Sequence, residues 1–512
     1  MNRPRPSRAV ARAIVVLSIA LSSVVVGCGG SHPLATGDPL TDMRDAALPV
    51  STRERAVEQA WSEATGGQRD RTAVREALKR TVWQTGNPQG IRLAAIRCLL
   101  GRAGGDATPD ERADTRNMLR LLLPKEPDRA VIALVCREAA EGGWAEAAPE
   151  IVRSWSRFTV EPPDNARVER ETLVRLFPGQ DPVRTVYNVF VAPIESDGMR
   201  KDLAERARSD AWELLGRLDP DGSRRAGFLA EPAVPNGGEP EILTVLRRVA
   251  RDLKAVPVTG AQLDWARSLS DPSLKSNASW WSEAARAIAG LTHEQLQGWS
   301  LRHAEPARWA AAHRPEWLGA SREQLLSELG SRLDGRKTWR RSAETGEGGA
   351  GIGETLAESR TGLCWGDALT ILVIDEAMAD PAVRAAFFEQ AERDRRDTST
   401  EYGGLLGPTV PGGFAAILYE PRPTQRAGDR RFIASDDMIR DADLSLAHYH
   451  FHVQSTRNAE YAGPGPGDME FADRYGRSCI VLTSIADGIL NADYYQPGGI
   501  RGVRIDLGEI RR

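Results

Sequence analysis

Residues 444–452 read Leu-Ser-Leu-Ala-His-Tyr-His-Phe-His, and the last third of the chain is organised around them. The run predicts a strand. Side chains at i and i+2 of a strand share a face, so His448, His450 and His452 project together. They are three of the chain's seven histidines. Three imidazoles on one face are costly inside a core, and a natural arrangement around a metal ion. A second reading stays open here: histidines satisfied within a sheet, with no metal.

The neighbouring segments alternate between strand and helix signals. Ser342 to Arg360, containing Gly346-Glu-Gly-Gly-Ala-Gly-Ile-Gly353, reads as a linker. Leu369-Thr-Ile-Leu-Val-Ile374 is a strand-like run, and Asp380-Pro381 then opens a helix that continues to Arg395. Glu401-Tyr-Gly-Gly-Leu-Leu-Gly407 precedes a strand over 414–419. After the histidines come Gly463-Pro-Gly-Pro-Gly-Asp468, a helix to Tyr475 and the strand Cys479-Ile-Val-Leu-Thr483. Asn491-Ala-Asp-Tyr-Tyr-Gln-Pro-Gly-Gly499 reads as a turn with packed tyrosines, and Ile505-Asp-Leu507 as a last strand. Residues 363–512 are therefore expected to be a mixed α/β domain after a linker at 342–362. Two histidines, Asp468 and one open position would make a catalytic zinc shell.

From Ser51 to about Arg341 the apolar residues recur at helical spacing, as in Ile91-Arg-Leu-Ala-Ala-Ile-Arg-Cys-Leu-Leu100 and Ala130-Val-Ile-Ala-Leu-Val-Cys136. This predicts an all-α region of stacked helical hairpins, possibly in two subdomains with a break near 220–240. The tryptophans at 280, 281, 299, 309 and 317 are expected in its core. His293, His303 and His313 lack metal-ligand spacing, and Cys98 and Cys136 read as buried thiols. The pair Asp128-Arg-Ala-Val-Ile-Ala-Leu-Val-Cys-Arg-Glu-Ala-Ala140 and Ala145-Glu-Ala-Ala-Pro-Glu-Ile-Val-Arg-Ser-Trp155 resembles HEAT repeats, over about residues 51–220. An α-solenoid of that kind implies a concave surface for a protein or peptide partner.

At the start of the chain Arg3, Arg5, Arg8 and Arg12 precede the uncharged run Ala13 to Val26. A basic segment followed by a short apolar one is a signal peptide. Val25-Val26-Gly27-Cys28 resembles the bacterial lipobox. That implies a signal over 1–27, lipidation of Cys28, a tether over 28–50 and a place in the cell envelope, facing periplasm or surface. Acyl chains would make the membrane a partner. The net charge of −4, with both signs interspersed, argues against nucleic acid.

The order of elements in the last third is similar to the JAMM (JAB/MPN) metallopeptidase family: strand, helix, Glu-x-x-Gly-Leu-Leu-Gly, strand, His-x-His at a strand end, then Asp before a helix and a strand. The resemblance covers about residues 366–510. It implies a zinc-dependent peptidase or isopeptidase-like hydrolase, with Glu401 as general base and zinc on two histidines plus Asp468. The sequence departs from that pattern in three places. Phe451 or Val453 stands where the family has proline, Gly465 stands where it has Ser or Thr, and Gln454 to Ala462 lengthen the gap before Asp468. His450/His452 gives the shorter gap and puts Ala447 three residues before the first ligand; His448/His450 is the alternative, with His452 behind it. The rival expectation is a non-catalytic scaffold lipoprotein with a degenerate JAMM-like domain.

Overall fold

The helices begin and end where the sequence supplies caps. Asp70 accepts the Thr72 N–H at 2.9 Å and starts the helix Arg71–Trp83. Asp128 accepts the Ala130 and Val131 N–H groups at 2.8 and 3.2 Å and starts Arg129–Gly142, which Gly143 closes at φ +64°. The computed structural model describes residues 36–512 except 158, 160, 193–197, 233–239, 272, 343–353, 410–411 and 500–501. The expected signal segment, Cys28 and most of the expected linker lie outside the described residues.

The chain divides into two compact units, one ending at Thr115 and one from Arg116 to Arg512. In the first, helices Val50–Thr65, Arg71–Trp83 and Gln89–Leu99 bury Val57, Trp61, Leu78, Ile91 and Cys98. The tether expected over 28–50 does not extend through its last residues. Asp38 caps a short helix Pro39–Asp42, Met43 is buried, and Arg53 Nε donates to the Met43 carbonyl at 3.1 Å.

The second unit is all-helical as far as Leu333 and then carries a mixed α/β sheet. The sheet has six strands: β1 (Gly403–Pro408), β2 (Phe414–Tyr419), β3 (Ala447–His452), β4 (Cys479–Ala486), β5 (Ile489–Tyr495) and β6 (Arg504–Arg511). Their order is β2-β1-β3-β4-β5-β6, and only β3 and β4 run parallel. A parallel pair needs a crossover, and the helix Pro466–Tyr475 provides it.

Two sequence expectations are corrected here. Leu369–Ile374 is no strand but the middle of the helix Trp365–Ala379, which Cys364 and Asp367 cap reciprocally. Nearly every side chain of that helix is buried, so it has no polar face and its apolar run mimics a core strand. Asn491 to Tyr495 belong to β5 rather than to a turn; Asn491 and Asp493, of types common in turns and depleted in strands, are buried there.

One hydrophobic core joins helices and sheet. It takes in Trp265, Trp280, Trp309 and Trp317 from the helical region and Trp365, Phe387, Tyr449, Leu482 and Ile505 from beyond residue 363. The Trp309 ring stands 5.1 Å from Phe414 of β2. Trp265 donates to the Asp443 carbonyl at 3.0 Å, with the Arg477 guanidinium 3.4 Å over its ring. The core therefore does not stop at residue 341.

Candidate metal centre

β3 is central and all six of its side chains are buried. Its alternation gives Tyr449 and Phe451 to the main core and turns the three histidines toward the opposite face. β1 runs antiparallel beside it, with Gly403 opposite His450, and the Phe451 N–H donates to the Tyr402 carbonyl at 3.1 Å. That register brings Glu401, two residues before Gly403, alongside His452. Gly403 cannot be larger: a Cβ there would lie 2.6 Å from the Tyr449 carbonyl oxygen and equally close to the Phe432 ring. Asp468 enters from the first turn of the crossover helix, where the Gly465 N–H donates to its Oδ2 at 2.7 Å.

These four side chains converge. His450 Nε2 lies 3.2 Å from His452 Nε2 and 3.2 Å from Asp468 Oδ1, while His452 Nε2 is 3.7 Å from Asp468 Oδ2. Glu401 and both histidines offer ligand atoms within 4.8 Å of one another. A tetrahedral zinc with bonds of ~2.0–2.1 Å separates its ligand atoms by about 3.3 Å. Two of these separations match such an edge; the third is longer and runs to the other carboxylate oxygen of Asp468, and with Glu401 close to both histidines the donor set suits a divalent metal.

The surrounding contacts fix both rings in place. His452 Nδ1 donates to the Tyr461 carbonyl at 3.0 Å, which leaves Nε2 as the lone pair. His450 is fixed by the Tyr495 hydroxyl, 3.5 Å from Nδ1, and by Phe432 stacked at 5.3 Å and 11°. Burial, and then the neighbouring His450, push the His452 pKa down to about 4. Burial works against the His450 imidazolium too, but Asp468 and Glu401 lift its pKa above the ordinary value. Burial likewise opposes the Asp468 carboxylate, yet His450 holds it well below the usual range. Glu401 behaves differently. Burial raises its pKa to about 7; His450 opposes the shift and Asp468 adds to it.

His448 stands apart from the other two. It shares their face, but its ring lies 5.2 Å from Phe471 and neither nitrogen has a hydrogen-bond partner. Of the sequence candidates, the geometry thus brings together Glu401, His450, His452 and Asp468. The residues that sequence reasoning missed come from the lengthened gap. Gln454 Nε2 donates to Glu401 Oε1 at 2.8 Å, and Asn458 Nδ2 reaches both Gln454 Oε1 (2.6 Å) and the His452 carbonyl (3.1 Å). Only the excess length of that segment could have signalled this. A cavity of about 720 Å³ opens onto the cluster.

A second cluster, His303, Cys364 and Asp367, also brings three ligand types together. Its lone pairs are already committed. His303 Nδ1 accepts the Ser300 N–H at 3.0 Å, its Nε2 donates to Asp367 Oδ1 at 2.9 Å, and Arg302 shares that oxygen at 2.7 Å. Burial pushes the Cys364 thiol up to about 12, far from the thiolate a metal needs. This group braces the start of the helix Trp365–Ala379. No protein-family model matches the chain, and no curated protein and no solved structure matches it either.

Proposed function

We propose that the chain is an envelope lipoprotein whose last third hydrolyses peptide or isopeptide amides with zinc, in the manner of the JAMM metallopeptidases it resembles. The observation that carries this reading is the convergence of His450, His452 and Asp468, whose Nε2 and carboxylate oxygen atoms lie 3.2 to 3.7 Å apart, with the raised-pKa carboxyl of Glu401 beside them. When bound, zinc supplies Lewis-acid polarisation of the amide carbonyl and of the attacking water. Glu401 is the general base. With a pKa near 7 it can take a proton from the water and return it to the departing amine. Gln454 holds its Oε1 in place. The region 51–341 acts in this reading as a HEAT-like scaffold that engages a protein or peptide partner, and lipid on Cys28 keeps the chain at the membrane.

Gly465 favours a second reading, because it lacks the hydroxyl that helps bind the developing oxyanion in the family: a metal-holding domain that binds partners without cutting them. One experiment separates the two. The full chain is loaded with zinc, its metal content is measured, and hydrolysis of a peptide library is compared with Glu401→Gln. Zinc binding with turnover lost in the variant supports the hydrolase. Zinc binding with no turnover in either supports the binding domain, and failure to take up zinc sinks both.

A further inference from the structure

The cavity beside the histidine pair has an aromatic wall that begins at the site itself. Phe432 stacks on His450, meets Phe471 edge-on at 6.2 Å, and Phe471 packs on Tyr475 at 4.7 Å. Each end of this wall is preceded in sequence by exposed arginine: Arg430 and Arg431 before Phe432, and Arg474 before Tyr475. All of these residues line the same cavity. The arginines near them in sequence are committed, since Arg422 and Arg440 pair with Asp437, and Arg426 with Asp397. Arg430, Arg431 and Arg474 form no ion pair among the described residues. The lining also holds Arg341 and the four acids Glu401, Glu460, Asp468 and Glu470, so its four arginines are balanced in number and the cationic character comes from placement beside the aromatic rings.

We infer that this wall reads a peptide that carries a carboxylate next to a large apolar residue, beside the bond presented to the histidine pair. An apolar side chain gains from burial on Phe432 and Phe471, and free guanidinium forks bind carboxylates with two parallel hydrogen bonds. The cavity volume falls within the ~300–1,000 Å³ usual for a site that selects a small ligand or short segment. The inference rests on the peptidase reading for the orientation of the substrate, but the recognition itself needs no cleavage.

The test measures binding alone. Zinc-loaded full-length Glu401→Gln is titrated into fluorescently labelled hexapeptides that share one sequence. One ends in Phe with a free α-carboxylate, one is its C-terminal amide, one is an amide with internal Phe-Asp, and one has Phe-Asn instead. The acids are expected to bind about tenfold tighter than their neutral partners. Whichever acid is preferred identifies the carboxylate as terminal or side-chain. Adding Arg430→Gln and Arg431→Gln should reduce the acids to the neutral level while the melting temperature holds. Equal binding of acids and neutrals, no binding of any peptide, or a preference that survives both these changes and Arg474→Gln would overturn the inference. A preference for acids that the wild-type chain never cleaves leaves the inference standing and removes the hydrolase reading.

Discussion

His452 spends its Nδ1 proton on the carbonyl of Tyr461, 3.0 Å away, and this bond sets which of its nitrogens faces His450. The opposite tautomer would place a proton between the two rings, where only 3.2 Å separates the Nε2 atoms. The Nε2 lone pair of His452 is therefore set by a backbone group nine residues downstream. His450→Ala and His452→Ala should each abolish stoichiometric zinc, measured by mass spectrometry after gel filtration. His448→Ala should keep it, because that ring lies against Phe471, outside the ligand triangle. Asn458→Ala, which frees both Gln454 and the His452 carbonyl, should weaken zinc by ~10–100-fold, the usual cost of losing an outer-shell partner. Full zinc retention by the His450 variant would disprove the ligand set.

Glu401 is predicted to matter for turnover and not for metal. Glu401→Gln should keep zinc and fold, and lower hydrolysis by about 10²–10⁴, the range for losing a general base. Gln454→Leu removes the donor that favours the Glu401 carboxylate. Its acid limb in a pH–rate profile should therefore move to higher pH, with zinc content unchanged. A profile that stays in place would show that Gln454 does not act through Glu401.

Acid should destabilise the protein through His303, far from the proposed centre in sequence. Burial, with Arg302 close by, pushes its pKa down to about 4 from an ordinary value of ~6.5. Above pH 6.5 neither the folded nor the unfolded state binds this proton. Between 6.5 and about 4 the unfolded chain binds it and the folded chain does not, so stability is lost as pH falls across that window. The full shift corresponds to about 3 kcal/mol. His303→Gln keeps a donor toward Asp367 and cannot titrate. Urea melts at pH 7.5, 6, 5 and 4.5 should show a smaller fall for the variant than for wild type, whatever their difference at pH 7.5. Parallel falls would count against a buried neutral His303.

Gly404→Ala should prevent folding of the sheet. An added Cβ would press into the Ile417 backbone carbonyl and the Tyr449 ring, and both belong to neighbouring strands that cannot move apart without breaking the ladder. Loss of soluble protein, or a cooperative transition at least 10 °C lower by circular dichroism, is expected. The variant cost should exceed the ~1 kcal/mol typical of point changes. Gly290→Ala is the control: its φ is −87°, which any residue adopts, and a Cβ there meets nothing within 4 Å.

Much of the sheet was legible because its signals are local. Phe414–Tyr419 and Cys479–Thr483 are short apolar runs bounded by turn residues, and Asp380 before Pro381 marks a helix start. The histidine face of β3 follows from period-two geometry alone. The helix Trp365–Ala379 was misread because burial on every side erases the period that distinguishes helix from strand. Spacing within the strand does not choose the pair, since all three histidines satisfy i, i+2; only the shorter gap to Asp468 favours His450 and His452. The choice depends on where Asp468 and Phe471 fall, and both are carried on the crossover helix beyond an irregular loop. Gln454 and Asn458, which reach the site by side-chain amides, and Tyr461, by its carbonyl, lie in a segment that no periodicity encodes and that only its length marks.

The shared core makes a last prediction about the chain's divisibility. A fragment of residues 342–512 contains all six strands and all the candidate ligands, yet it omits Trp265, Trp309 and Trp317. Trp309 covers Phe414, and Trp265 both donates to the Asp443 carbonyl and carries the Arg477 guanidinium. Arg477 is itself buried and holds Asp443 Oδ1 at 3.0 Å, so removing Trp265 strips the cover from a buried ion pair. The helix Trp365–Ala379 would also lose the apolar partners on its other faces and expose a run with no polar side. Such a fragment should aggregate or bind a hydrophobic dye, with no cooperative melt. A fragment starting near residue 241, which restores the helices from Glu241 onward, should recover a cooperative transition. If 342–512 alone melts cooperatively and takes up zinc, the helical region is a separable scaffold and its core contacts contribute little to the sheet's stability.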